Sequence, residues 1–355
     1  MERVAIVGLS LPAVRELGRF EVHGVAIPQF GGWRPSVRVA IREGLSGVYR
    51  PRSVLKAEWV DELYREQDPS YLAGCEKLIA DLKFFDVVVF STFCPLHPEL
   101  IRSHLRKQVK VLGFSDDPHS TYVRGVPYLS SFDAAYYISP SYSELTSFQE
   151  LFELLKFTKV RWLPLVQPHD YPSLDIGQIR GRSITSCYVG NPTGSKFDRI
   201  VRMKQTFGSE FVIRGRWPLG GYFGFARPLV GETPFFTRVR PISSADKEQL
   251  YINTKIGFNM HVSDRPAESG NMRTYDIAGY GMMPLCDRGA RNLQASIFEE
   301  GTESVYYSSF DEALELLRHF RSNDADRSRI AFAAHRRACA DYRWDKVWLD
   351  FLNWL

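Results

Sequence analysis

The sequence predicts an α/β fold of two domains, each built on a doubly wound parallel sheet. Three observations predict it. Short apolar runs rich in β-branched residues recur along the chain, helix-like stretches separate them, and a proline-containing polar break divides the series into two sets of similar size. Apolar runs of four or five residues between helices fit parallel strands, because crossover helices cover both faces of such a sheet. Strand–helix alternation fits a doubly wound arrangement. The 355 residues suit two domains at roughly 150 residues each.

In order, the first set places strands over residues 4–7, 87–90, 109–114, 136–138 and 161–165, with helices over 71–83 and 96–107. The break is Gln167-Pro168-His169-Asp170-Tyr171-Pro172-Ser173, where two prolines and polar neighbours make a linker. The second set places strands over 184–189, 211–213, 256–259, 282–286 and 304–307, with helices over 198–207, 245–253, 272–280 and 310–319. The chain therefore reads as two Rossmann-like halves, 1–166 and 174–335. A terminal helix follows over 336–355, whose Trp344, Trp348, Phe351, Leu352 and Trp354 form an apolar face that packs on the body.

Composition narrows the class. Apolar residues are 44% and charged residues 24%, with 45 Lys and Arg against 41 Asp and Glu. That excludes a disordered chain, a collagen and a small disulfide scaffold. The net charge of +4 is too mild to announce nucleic acid, although a local field can still attract an anion. Cys75, Cys94, Cys187, Cys286 and Cys339 form no CxxC pair, which suits reduced thiols and a cytoplasmic setting. The first eight residues read as a strand, not a signal peptide. No run of about 18 apolar residues occurs, so no membrane span is expected.

Three segments carry candidate chemistry. Gly190-Asn191-Pro192-Thr193-Gly194 follows the first strand of the second half and leads into a helix. Such a turn brings backbone N–H groups to a phosphate, or is an ordinary β–α turn; its spacing is not GxGxxG. Asn271-Met272-Arg273-Thr274-Tyr275-Asp276 opens a helix. An arginine in a first turn opposes the helix dipole but makes sense if it holds a diphosphate. Asp276, one turn later, can accept from ribose hydroxyls as acidic residues do in nucleotide folds, or simply pair with Arg273 at i,i+3. Asp116, Asp117 and His119 stand at the C-terminal end of a first-half strand, where open α/β sheets bind ligands. They can supply a general base, or an Asp-Pro turn with a capping carboxylate.

Residues 178–240 hold eleven Lys and Arg against three Asp and Glu, which reads as a phosphate-attracting region or a solvated basic face. HExxH, GxSxG and P-loop patterns are absent, against zinc protease, hydrolase and kinase readings. Asp324-Ala325-Asp326 looks like a helix start, and no metal site is expected.

The chain resembles the CgeB-like (spore-maturation-type) glycosyltransferases of the GT-B fold. The resemblance is carried by Asp116-Asp117-Pro118, Cys187-Tyr188-Val189-Gly190-Asn191, Lys255-Ile256-Gly257-Phe258-Asn259, the block 271–281 with Pro284-Leu285-Cys286-Asp287, and 299–307 with Phe310-Asp311-Glu312. It implies two Rossmann-like domains facing across a cleft, with the nucleotide-sugar on the second domain and the acceptor on the first. Arg273 then falls on the diphosphate-contacting position. Asp276 falls on the ribose-holding position, usually Glu, with a shorter reach. Gly190 and Asn191 line the donor site with Asn271 and Thr274, Lys255 assists Arg273, and the terminal helix crosses back to the first domain. Phe114-Ser115-Asp116 also looks like the Phe-Thr-Asp that carries the base in phage DNA β-glucosyltransferases, with Asp117 and His119 as rivals.

The expected activity is sugar transfer from a nucleotide-sugar, a UDP-sugar first and a GDP-sugar second, to an acceptor hydroxyl. The acceptor is a small molecule, a glycan or, ranked lower, DNA. The reaction is expected to invert the anomeric centre and to require no metal or other cofactor. A nucleotide-binding regulatory or assembly protein without catalysis is the alternative.

Overall fold

The computed structural model describes residues 1–9, 11, 13–28, 57–91, 94–114, 125–139, 148–190, 195–215, 241–261, 270–288 and 296–355. These form two compact units, Met1–Leu163 with Trp348–Leu355, and Pro164–Val347.

The first unit holds a seven-stranded sheet in the order β2-β3-β1-β4-β5-β6-β7. Its strands are β1 (Glu2–Val7), β2 (Arg15–Leu17), β3 (Phe20–Val25), β4 (Val87–Phe90), β5 (Val109–Phe114), β6 (Ala134–Tyr137) and β7 (Val160–Trp162). Only β2 runs antiparallel among these pairings. Its helices are α1 (Ala57–Arg65), α2 (Pro69–Leu82), α3 (Pro98–His104) and α4 (Phe148–Leu154). β4 is buried at every position, as a central parallel strand covered on both faces must be. Val88, Phe90, Leu112 and Phe114 pack with Phe148 and Phe152 in one core, each such side chain worth about 1.5–3 kcal/mol of burial.

The second unit holds a five-stranded parallel sheet in the order β12-β11-β10-β8-β9. Its strands are β8 (Ile184–Val189), β9 (Phe211–Arg214), β10 (Thr254–Asn259), β11 (Met283–Asp287) and β12 (Val305–Tyr307). Its helices are α5 (Ile176–Arg180), α6 (Ser195–Phe207), α7 (Ser244–Ile252), α8 (Met272–Gly279), α9 (Phe310–Ser322) and α10 (Asp324–Asp341). β8 pairs with both β9 and β10, so successive crossovers leave β8 in opposite directions. The crevice where they part lies at the C-terminal ends of β8 and β10, the usual ligand position of such sheets.

The structure adds one feature to the sequence reading and corrects another. The β2–β3 ribbon was not foreseen, because Phe20–Val25 is alternately buried and part-exposed and shows no continuous apolar run. The single terminal helix over 336–355 is two helices, α10 and α11 (Trp344–Trp354). The break falls at Tyr342, which caps α10. The last part of α11 packs within the first unit, where Trp348 and Phe351 set their rings edge-on to Tyr136 at 6.0 and 5.4 Å.

Candidate functional site: a guanidinium at the β8–β10 crevice

The local sequence builds this site in three steps. β10 is a buried run that ends in Asn259, whose side chain is fully buried. Gly270 takes a left-handed φ of 70°, a conformation open to glycine. Asn271 then caps α8, its Oδ1 accepting from the Thr274 N–H at 3.3 Å, the usual device for satisfying a free first-turn donor. That cap puts Arg273 in the first turn, at the C-terminal edge of the sheet.

Arg273 spans the crevice. Its Nη1 donates to the Val189 carbonyl at the end of β8 (3.1 Å), its Nε to Asn259 Oδ1 at the end of β10 (3.0 Å), and its Nη2 to the Met260 carbonyl (3.0 Å). The guanidinium lies over the Tyr188 ring, 4.7 Å from the centroid, a cation–π arrangement. Asn259 is the clip that holds it. The same Oδ1 accepts from the Met260 N–H (2.9 Å), while Nδ2 donates to Thr274 Oγ1 (3.0 Å). Gly190 makes room, since a Cβ there would stand 1.9 Å from Arg273 Nη1.

Every described hydrogen-bond acceptor of Arg273 is neutral. Arg182 shows the structural form of the same pattern. It is 6% exposed and donates to the carbonyls of Thr254 (2.8 Å) and Tyr280 (2.6 Å). Burial pulls its guanidinium down to about 10. Tyr280 caps the C-terminus of α8, so Arg182 meets the negative end of a helix dipole. Arg273 sits at the positive end of the same helix; burial pulls its guanidinium down, but Tyr188, Tyr251 and the charge of Asp287 outweigh burial and leave it above its ordinary value.

Two ion pairs flank the crevice. Asp287, the last residue of β11, accepts from the His261 N–H (3.0 Å), and its other oxygen lies 2.7 Å from His261 Nδ1. Burial pushes the Asp287 carboxyl up, but the His261 contacts and the charge of Lys196 pull it below its ordinary value. Asp276, on the second turn of α8, has a side chain only 1% exposed. Its Oδ2 accepts from Lys247 Nζ at 2.6 Å, and its Oδ1 lies 3.1 Å from His169 Nε2. Burial raises this carboxyl too, and His169 and Lys247 outweigh burial to leave it below its ordinary value.

The structure thus brings Gly190, Asn271, Arg273 and Thr274 together at one strand edge. Asp276 faces Lys247 and His169 and is not paired with Arg273 in any described contact. Lys255 stands at the opposite edge. It is the second residue of β10, four residues and about 13 Å from Asn259 along the strand, and its Nζ is 3.9 Å from Asp324. A position at the start of a parallel strand cannot serve a ligand at its end, so Lys255 is removed from the site. Asn191, Asp116, Asp117 and His119 lie outside the described residues.

Sequence reasoning missed Asn259, His261, Asp287, Lys247 and His169 as participants. Asn259 and Asp287 carried a usable signal, a polar residue closing an apolar strand. Lys247 and His169 carried none, since their partner is 29 and 107 residues away. Among the described residues, no group of three or more His, Cys, Asp or Glu could hold a metal ion, and no helix is long and apolar enough to cross a membrane.

Comparison with known proteins bears on the fold. The family described as glycosyl transferase-like matches residues 200–353. No curated protein matches the chain in sequence. Among solved structures, Anabaena HepE in complex with UDP and glucose is similar at TM-score 0.56 and 11% identity, covering 99% of this chain and 98% of that one. An α-glucosyltransferase in complex with UDP-glucose and abasic-site DNA is similar at TM-score 0.51 and 10% identity, covering 77% and 82%. S. aureus TarM is similar at TM-score 0.53 and 12% identity, covering 80% of this chain and 58% of TarM. The fold is GT-B, and the family match points the same way, to a glycosyltransferase.

Proposed function

We propose that this chain transfers a sugar from a nucleotide-sugar, first a UDP-sugar, to an acceptor hydroxyl, with the donor bound by the second unit. The observation that carries this reading is Arg273, a guanidinium whose described hydrogen-bond acceptors are all neutral, at the switch-point crevice of a parallel sheet. A diphosphate is attracted to this cation, and the N–H groups of the α8 first turn add to its binding. The bound HepE structures, which hold UDP or UDP-glucose, support the choice of donor.

In the reaction, an acceptor oxygen attacks the anomeric carbon as a base takes its proton. The bond from that carbon to the diphosphate breaks, and the diphosphate leaves with the electron pair. Arg273 stabilises the charge that develops there, a preorganised contribution of the kind that dominates many enzymes. Cationic help of this sort lets the reaction proceed without a metal. The base is assigned to the first unit, to Asp116 with Asp117 and His119 as rivals, and direct attack inverts the anomeric centre.

The test is thermal stabilisation against UDP, GDP, ADP, dTDP and CMP, with NAD as control. A ligand at 100 times its dissociation constant stabilises by about 2.7 kcal/mol. A shift with UDP is expected, followed by turnover of UDP-sugars that persists in EDTA. No shift with any nucleoside diphosphate, or a shift with NAD alone, overturns the reading.

A further inference from the structure

We propose that Lys247, and not Asp276, reads the ribose hydroxyls of the donor, with Asp276 as the positioning residue that holds its ammonium in place. This rests on the donor site proposed above.

The starting point is that the Asp276 carboxylate is buried and already paired with Lys247. Its side chain is 1% exposed, one oxygen takes Lys247 Nζ, and the other, buried, lies 3.1 Å from His169 Nε2 without a hydrogen bond to it. It cannot turn to a ligand without leaving both partners and stranding a buried charge. The Lys247 side chain is 28% exposed. Its ammonium has three N–H donors, and Asp276 is the single described hydrogen-bond partner of that group; the Tyr251 ring, 5.3 Å away, supports it from one side.

Topology aims this ammonium at the crevice. α7 runs into β10 and α8 runs out of it, so both helices begin at the C-terminal edge of the sheet. Lys247 is the fourth residue of α7 and Asp276 the fifth of α8, which puts them at the same depth. Side chains on a helix lean toward its N-terminus, here toward the strand edge. Arg273 is three residues above Asp276, about 4.5 Å along the helix axis. A donor with its diphosphate at Arg273 therefore sets its ribose at the level of Lys247.

Charge separates the two roles. Arg273 is held by neutral acceptors and calls for an anion. Lys247 is already neutralised by Asp276, and a compensated ammonium with donors to spare suits neutral hydroxyl oxygens.

The test is calorimetric titration of the full chain with UDP, 2′-deoxy-UDP and 3′-deoxy-UDP, for wild type and for Lys247→Met. Wild type is expected to bind at least one deoxy form about tenfold more weakly than UDP, the scale of a hydrogen bond from a charged donor. Lys247→Met is expected to bring UDP down to the level of that deoxy form and to leave the deoxy form within about twofold of its wild-type value. If Lys247→Met melts too low to titrate, the double variant Lys247→Met with Asp276→Asn removes the stranded carboxylate and takes its place. Equal weakening of UDP and deoxy-UDP assigns Lys247 to the phosphates and overturns the proposal, as does discrimination that survives the substitution or is absent in wild type. Wild type that binds no nucleoside diphosphate overturns the donor-site reading and this proposal together; UDP binding with a discrimination insensitive to residue 247 overturns this proposal alone.

Discussion

The two units present the same backbone device with different contents. In the first, β1 pairs with β3 on one side and β4 on the other, and the strand ends at Gly8 with a left-handed φ of 88°. The Ser91 N–H and hydroxyl both donate to the Val7 carbonyl, at 3.1 and 2.8 Å, and the Gly8 N–H donates to the Val25 carbonyl at 2.9 Å. In the second, β8 ends at Gly190, whose N–H donates to the Arg214 carbonyl at 3.0 Å, and Arg273 fills the space beside it. Among the described residues, the first crevice shows neutral hydrogen bonds and the second holds a cation. Topology makes a crevice in both; among the described residues, the side chain at the second is what attracts an anion, which is why fold alone does not assign function.

The largest test of that contrast is Arg273→Met. If this guanidinium stabilises the leaving diphosphate, turnover should fall by about 10²-fold or more, with UDP affinity falling as well. The substitution also leaves the Val189 and Met260 carbonyls and Asn259 Oδ1 without this donor, so the melting temperature should fall. Near-normal turnover would make Arg273 a structural clamp like Arg182 and erase the difference between the crevices.

The paired glycines give the next test. Gly190→Ala puts a methyl 1.9 Å from Arg273 Nη1, and the flexible side chain can move aside at small cost in stability. Displacing it by about 1 Å should cost turnover on the order of 10²-fold. Gly8→Ala meets Ser91 Oγ at 3.1 Å and must hold a φ of 88°. It should cost about 1–2 kcal/mol of stability and leave UDP affinity alone. Measuring melting temperature and UDP affinity on both variants separates the two effects. A Gly190→Ala enzyme with full turnover would show that the guanidinium tolerates other positions.

Much of this was legible from the chain because parallel strands announce themselves. Val87–Phe90, Val109–Phe114 and Ile184–Val189 appear at the bounds expected, the first because burial on both faces leaves an unbroken apolar run. Arg273 was legible because a cation in a first turn works against the dipole and needs a reason. Lys247 and His169 were not, because the carboxylate they neutralise becomes their neighbour only when α7 and the linker pack on α8. Lys255 misled for a related reason. A strand reads the same from either end, and only the sheet shows which end the ligand edge is.

The smallest expected effect is on acid stability, and it compares the crevices through their titratable groups. Burial alone would raise the Asp276 carboxyl, but His169 and Lys247 hold it below its ordinary value. A carboxyl depressed in the folded state stabilises above its unfolded pKa, about 3.9, and that contribution is lost as pH falls through the lower folded value. Asp276→Asn should therefore be less stable than wild type by a constant amount above about pH 5, and the gap should close below about pH 4. Ser91→Ala, which removes a neutral bond from the other crevice, should lower stability by the same amount at every pH. Asp287 is depressed in the same direction, so acid unfolding persists in the Asp276 variant. Thermal melts of wild type and both variants from pH 2.5 to 7 measure the gap. A gap for Asp276→Asn that stays constant through the acid limb would mean that its carboxylate is not the charged partner of Lys247, and the electrostatic difference between the two crevices would then rest on Arg273 alone.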